Sequence, residues 1–116
     1  MSPAPRTALV TGAGRGIGQA VAARLSSDGY RVALTARSED QLQATARLCR
    51  GETLVLPADM LDPAAPDRVV SQVEQEWGPV SVLVANAGAG ESSPVARLTD
   101  EMWQRQIDLN LTAPFR

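Results

Sequence analysis

The sequence contains no histidine and no lysine; all eleven basic residues are arginine. Without histidine, His-based triads and the commonest metal ligand are excluded. Without lysine, no mechanism that needs an ammonium side chain can run on this chain. Cys49 is the only cysteine, so no internal disulfide can form. There is no uninterrupted run of about eighteen apolar residues, which argues against a membrane span. The leader Met1-Ser2-Pro3-Ala4-Pro5-Arg6 carries no hydrophobic signal region, so a cytoplasmic protein is expected. A net charge of −2 provides neither a basic footprint for nucleic acid nor a polybasic membrane patch.

What is present fits a single globular domain. The chain has 116 residues, 44% apolar and 21% charged, enough for a core with an ordinary polar surface. Its organising stretch is Thr11-Gly12-Ala13-Gly14-Arg15-Gly16-Ile17-Gly18. It follows the apolar run Thr7-Ala8-Leu9-Val10 and opens into a helical pattern. Strand, Gly-rich turn and helix N-terminus together can hold a phosphate, because free backbone N–H groups and the helix dipole converge there. The glycines have separate uses: a tight turn, backbone approach to a pyrophosphate, and close packing of helix on strand.

Beyond residues 1–6, strands are expected at 7–11, 31–36, 53–56 and 80–85. The first helix runs from Gly16 to Asp28, with an apolar stripe of Ile17, Ala20, Val21 and Leu25, and Gly29 supplies a left-handed cap. Ser38 and Gln41 have capping-box spacing for a second helix, which places Leu42, Ala46 and Cys49 on one face and stops at Gly51. A third helix starts at Asp62-Pro63 or Ala65-Pro66, buries Val69, Val70, Val73 and Trp77, and ends at Gly78-Pro79. The fourth strand is nearly continuously apolar, as a strand covered on both faces is. A Gly/Ser-rich loop spans 86–98. Thr99 then caps a last helix with Asp100 and Glu101 in its first turn and a stripe of Trp103, Ile107 and Leu111. Strand and helix alternate throughout, which predicts an α/β fold with a doubly wound parallel sheet.

The end of the second strand selects among dinucleotides. An acidic residue there bonds the ribose 2′-OH of NAD, whereas an arginine accommodates the 2′-phosphate of NADP. Here Ala36 stands where an acid would serve, and Arg37 follows. A guanidinium grips a phosphate through paired charge-assisted bonds. Arg15 can approach the same phosphate from the turn. The plainer reading makes Arg37 a surface charge beside a helix start; combined with the turn and Arg15, the pattern favours NADP.

Thr11-Gly12, Gly16-Ile17-Gly18, Asp59, Asn86-Ala87-Gly88 and Asn110 occur in this order and at spacings that resemble the short-chain dehydrogenase/reductase family. The resemblance runs from Arg6 to Arg116 and is greatest to NADPH-dependent 3-oxoacyl thioester (acyl-carrier-protein) reductases. It implies the N-terminal half of a Rossmann-type fold, strand order 3-2-1-4, and one NADP-binding portion over residues 1–116. It also implies roles. Gly12, Gly14, Arg15, Gly16, Ile17 and Gly18 would line the pyrophosphate and adenosine ribose. Asp59 would bond the adenine amino group, and Met60 would pack on the ring. Asn86, Ala87 and Gly88 would lie along the nicotinamide-side ribose. Asn110 would hold a proton-relay water. The substrate implied is a small-molecule carbonyl compound, reduced to an alcohol.

Each residue has a plainer alternative. An Asp after a strand is often a turn residue, Asn86 can tie loops together, and Asn110 can face solvent. Asp59 and Asp62 lack a third metal ligand, so no metal is expected. Trp77 and Trp103 sit on apolar stripes and read as core or interface. Cys49 reads as a small buried hydrophobe.

The sequence departs from the family in one respect. The family's Ser, Tyr and Lys lie downstream of the asparagine. Here the only Tyr is Tyr30, and there is no Lys. The chain as given is therefore expected to bind cofactor without turnover; the alternative is a stand-alone, non-catalytic dinucleotide-binding module. The fourth strand would form an exposed apolar sheet edge, which predicts self-association or pairing with a missing C-terminal half.

Overall fold

A computed structural model describes residues 4–88 and 93–116. Four parallel strands, β1 (Thr7–Thr11), β2 (Arg31–Ala36), β3 (Thr53–Pro57) and β4 (Val82–Val84), form one sheet in the order β3-β2-β1-β4. This is the strand order the sequence implied. β1 is central, with Leu9 level with Ala33 on one side and Leu83 on the other.

Among the described residues α1 (Gly16–Ser27), α2 (Glu39–Leu48) and α3 (Ala65–Trp77) pack on the sheet, and α4 (Asp100–Ile107), which has no buried residue, follows β4. Side chains alternate across a strand, so the sheet supports two cores. Leu9, Ala33 and Leu56 pack against Ala65, Val69 and Val73 of α3. Val10, Val32 and Leu34 pack against Ala22 of α1 and Leu42 of α2. Each fully buried Leu or Val contributes about 1.5–3 kcal/mol relative to exposure.

The helix starts reflect local chemistry. Ser38 Oγ accepts from the Gln41 N–H at 3.3 Å and Thr99 Oγ1 from the Met102 N–H at 3.2 Å, while Pro66 occupies the first turn of α3. The Ser38 half of the anticipated capping box is thus formed. Gly29 and Gly78 have φ of 96° and 85° where α1 and α3 end, the left-handed backbone that glycine adopts without a Cβ penalty.

Three burial expectations are corrected. The buried face of α1 is Gly18, Ala22 and Ser26; of the expected stripe Leu25 packs against the core, whereas Ile17 is 74% exposed and Ala20 is exposed too. α1 lies too close to the sheet for larger side chains, so small residues fill that face and mask the apolar periodicity. β4 is shorter than the apolar run, and its Leu83 is 55% exposed, so the strand is not covered on both faces. On the last helix, Trp103 and Leu111 are 59% and 65% exposed, so the stripe is not core. Trp77 is half-buried beside α3's core, with the Arg31 guanidinium 5.3 Å from its ring.

After α4 the helix continues as a π-turn, Asp108–Thr112, and a last helical turn, Ala113–Phe115. Cys49 caps the end of α2 rather than lying on its buried face. Burial pushes its thiol pKa up, a hydrogen bond with Ser26 opposing, which keeps it a poor nucleophile. Among the described residues no helix is long and apolar enough to cross a membrane, and no group of three metal-ligating side chains occurs.

Candidate dinucleotide site at the carboxyl ends of the strands

β1 leads into a turn whose shape is set by crowding. Gly12 has φ 63°, and a Cβ there would lie 2.8 Å from Asn86 Nδ2 and 3.0 Å from the Ala87 Cα. The Ala13 N–H donates to the Thr35 carbonyl at 3.2 Å. Gly16 has φ 57° and faces open space. Arg15, in extended backbone, is the N-cap of α1 but makes no side-chain cap bond. α2 and α4 start under their own Ser38 and Thr99 hydroxyls; the N–H groups that begin α1 have no such cap and no acid in the first turn. An uncapped helix start beside a Gly-rich turn is an anion site.

β4 is clasped to this turn. Thr11 Oγ1 accepts from the N–H groups of Asn86 at 3.0 Å and Ala87 at 2.9 Å. Asn86 Nδ2 donates to the Gly12 carbonyl at 3.2 Å. The bracing role suggested for Asn86 is therefore visible in its bonds.

These elements enclose a cleft of about 1050 Å³. Gly12, Gly14, Arg15, Gly16, Ile17, Arg37, Asp59, Met60, Asn86, Ala87 and Gly88 all line it. Gly18 does not. It is buried beneath the turn, and a Cβ on it would lie 2.0 Å from the Gly12 carbonyl oxygen; its contribution is the close packing of helix on strand. Asn110 also lies off the cleft lining. Its Oδ1 sits 2.7 Å from where a Gly88 Cβ would be, and its Nδ2 donates to Gln106 Oε1 at 3.2 Å. Asn110 occupies the π-turn, a rare geometry concentrated at functional sites, which gives a physical setting for a residue of modest helix propensity. Asp59 Oδ1 accepts from the Leu61 N–H at 3.0 Å, so it also serves its turn. Asp62 does likewise for Ala64 at 3.0 Å, and Arg68 reaches it at 3.7 Å, so Asp62 is a loop-forming residue.

The cleft has lining residues that the sequence reading missed: Thr35, Ser38, Gln41, Ala58, Leu61, Arg105 and Leu109. The signal for the last two was present in their four-residue spacing on one helix; the others follow from their place at strand ends. Thr35 Oγ1 is buried with no hydrogen-bond partner among the described residues. Among the described residues the lining carries the guanidinium groups of Arg15, Arg37 and Arg105 and the carboxylate of Asp59. Arg15 and Arg37, both exposed, thus bring positive charge to the cleft in a chain of net charge −2.

A family model described as short chain dehydrogenase matches residues 6–116. The chain belongs to this family. Among its relatives within and around the short-chain dehydrogenases, the 3-oxoacyl-[acyl-carrier-protein] reductase MabA of Mycobacterium tuberculosis is 40% identical over 111 residues. That alignment covers 96% of this chain and 42% of MabA. The 3-oxoacyl-[acyl-carrier-protein] reductase FabG of Escherichia coli is 39% identical over 111 residues, covering 96% of this chain and 46% of FabG. A variant of actinorhodin polyketide ketoreductase, solved with NADPH, superimposes with a TM-score of 0.91 at 38% identity, covering 97% of this chain and 44% of that one. The chain thus spans less than half the length of these relatives. The short-chain dehydrogenase fold and the ketoreductase resemblance inferred from sequence agree with these matches.

Proposed function

We propose that this chain is the cofactor-binding portion of an NADPH-dependent oxidoreductase that reduces a ketone of the 3-oxoacyl thioester class to an alcohol. The observation that carries the reading is the pairing of an uncapped α1 N-terminus with Arg15 and Arg37 in one cleft, with Ala36 in the place of an acid at the end of β2. Gly16 supports a dinucleotide in this cradle: it lines the cleft, and its φ of 57° with no atom within 4 Å of a Cβ leaves the turn open there. The names of the relatives, 3-oxoacyl-[acyl-carrier-protein] reductases, support the substrate class, and the NADPH in the ketoreductase structure supports the cofactor.

NADPH, when bound, supplies a hydride. The chain's own residues bind and orient it. The turn from Gly12 to Gly16 and the start of α1 take the pyrophosphate. Arg15 and Arg37 take the 2′-phosphate. Asp59 accepts from the adenine amino group, and Met60 packs against the ring. Asn86, Ala87 and Gly88 form the wall along the nicotinamide-side ribose. Asn110, behind Gly88, holds a water for proton transfer.

No residue of this chain supplies the proton to the carbonyl. Tyr30 follows α1 at the opposite end of the sheet, under the Arg6 guanidinium at 4.7 Å, and there is no lysine. The chain alone binds and does not turn over. The absent lysine also favours the second reading, a non-catalytic dinucleotide-binding module. Calorimetry with NADPH and NADH, followed by incubation of the NADPH complex with a 3-oxoacyl thioester, tests this. The expected result is tighter binding of NADPH than NADH, with no cofactor oxidation. Binding of neither overturns the cofactor assignment, and oxidation overturns the absence of turnover.

Leu83 at the β4 edge is exposed, as are Trp103 and Leu111 further along the chain, and an open apolar sheet edge supports self-association. Sedimentation is expected to show species heavier than a monomer, increasing with concentration. A monodisperse monomer at high concentration would refute it.

A further inference from the structure

We infer that Thr45 is a positioning residue for the phosphate-facing turn, although it lies on α2, outside the cleft lining. The inference rests on the dinucleotide reading above. Thr45 is wholly buried. Its Oγ1 lies 2.7 Å from the Ala13 carbonyl oxygen, 3.1 Å from Gln19 Nε2 and 3.3 Å from the Gln41 carbonyl oxygen. The assignment of donors follows. Gln19 donates into an Oγ1 lone pair, and the single hydroxyl hydrogen goes to the nearest acceptor, the Ala13 carbonyl. One hydroxyl thereby joins the Gly-rich turn, α1 and α2.

The consequence for the turn is geometric. A trans peptide is planar, with its C=O and the following N–H on opposite edges. Holding the Ala13 carbonyl toward α2 therefore turns the Gly14 N–H away from α2. The Ala13 N–H is also fixed, through its bond to the Thr35 carbonyl. Gly14 is pressed from the same side, since a Cβ there would lie 2.9 Å from Gln41 Cβ and 3.0 Å from Gln41 Oε1. The turn's presentation of backbone donors thus depends on a hydroxyl that never touches the ligand. Valine has the same shape without the hydroxyl. Thr45→Val leaves the buried Ala13 carbonyl and the half-buried Gln19 amide without this partner, so the turn gains freedom that binding must remove.

The experiment compares wild type, Thr45→Val, Thr45→Ser and Gln19→Leu. Affinity for NADPH and NADH is measured by calorimetry, and exchange of the Ala13 amide is followed by NMR without ligand. Thr45→Val is expected to weaken both cofactors by about ten-fold, the scale of one buried hydrogen bond lost, and to speed Ala13 exchange. Thr45→Ser, which keeps the hydroxyl, restores both. Gln19→Leu, which removes only the orienting donor, gives the same changes in smaller degree and serves if Thr45→Val does not fold. Unchanged affinity and exchange in Thr45→Val, or a failure of Ser to restore them, overturns the role. The cofactor reading fails separately: wild type then binds neither dinucleotide, while Ala13 exchange still reports whether Thr45 fixes the turn.

Discussion

Gly18→Ala is expected to unfold the protein at a temperature about 5–12 °C below wild type, the shift that corresponds to about 2 kcal/mol in a domain of this size. Two effects oppose each other. Alanine favours a helix over glycine by about 1 kcal/mol. Against this, the new Cβ would stand 2.0 Å from the Gly12 carbonyl oxygen, 2.8 Å from its carbonyl carbon and 2.6 Å from Asn86 Nδ2. Two of these three atoms are backbone and cannot rotate aside. Overpacking of this kind costs about 1–3 kcal/mol and occasionally more, and relief requires α1 to lift off β1 or Gly12 to release Asn86. The clash prevails. Gly51→Ala is the matched control: its nearest neighbours are the Tyr30 carbonyl oxygen at 3.5 Å and Ser26 Oγ at 3.6 Å, ordinary contacts. Thermal unfolding by circular dichroism decides it, and a Gly18→Ala protein that melts with wild type would show that α1 has room to move.

Arg37→Ala should weaken NADPH by about 1–3 kcal/mol, the scale of a charge-assisted bond to phosphate, and leave NADH nearly unchanged. Arg37 is exposed, and an exposed ion pair is often worth less than about 1 kcal/mol. Two features raise the figure here. The 2′-phosphate offers paired acceptors to a planar guanidinium. Glu39 and Asp40 begin α2 directly after Arg37 and Ser38, so loss of the arginine leaves a phosphate beside acidic neighbours alone. Titrations of both cofactors at one fixed salt concentration measure the difference, because screening alters such terms. Equal loss for NADPH and NADH would remove Arg37 from the 2′-phosphate.

The sequence displayed the order of elements clearly, because a parallel sheet buried on two faces leaves unbroken apolar runs such as Ala8 to Val10 and Val32 to Leu34. Turn chemistry was equally legible at Gly29, Ser38 and Thr99, where the cause is local. What sequence hid was distance between elements. α1 looked like a helix that buries Ile17, yet its inner face is Gly18, Ala22 and Ser26, small residues whose importance lies in what they admit. Residues of the cleft were readable where strands end in motif positions. Thr45 was not, because a threonine inside a helix carries no sign of the carbonyl it will meet from a turn 32 residues earlier. The π-turn around Asn110 was likewise invisible, since nothing in Asp108-Leu109-Asn110-Leu111-Thr112 departs from ordinary helix composition.

The clasp between Thr11 and the Asn86-Ala87 segment also orders events during folding. Its bonds join residues 75 and 76 positions apart, and Asn86 reaches back 74 positions to the Gly12 carbonyl. Closing so long a loop costs entropy before any contact repays it. In a chain leaving the ribosome N-terminus first, β1, β2 and β3 can pair before the residues that finish the cleft have been synthesised. The Gly-rich turn then waits with its carbonyl and inner wall unmet until β4 docks. A dinucleotide that needs both sides of the cleft captures only the completed sheet, and so pulls the last strand into place by mass action.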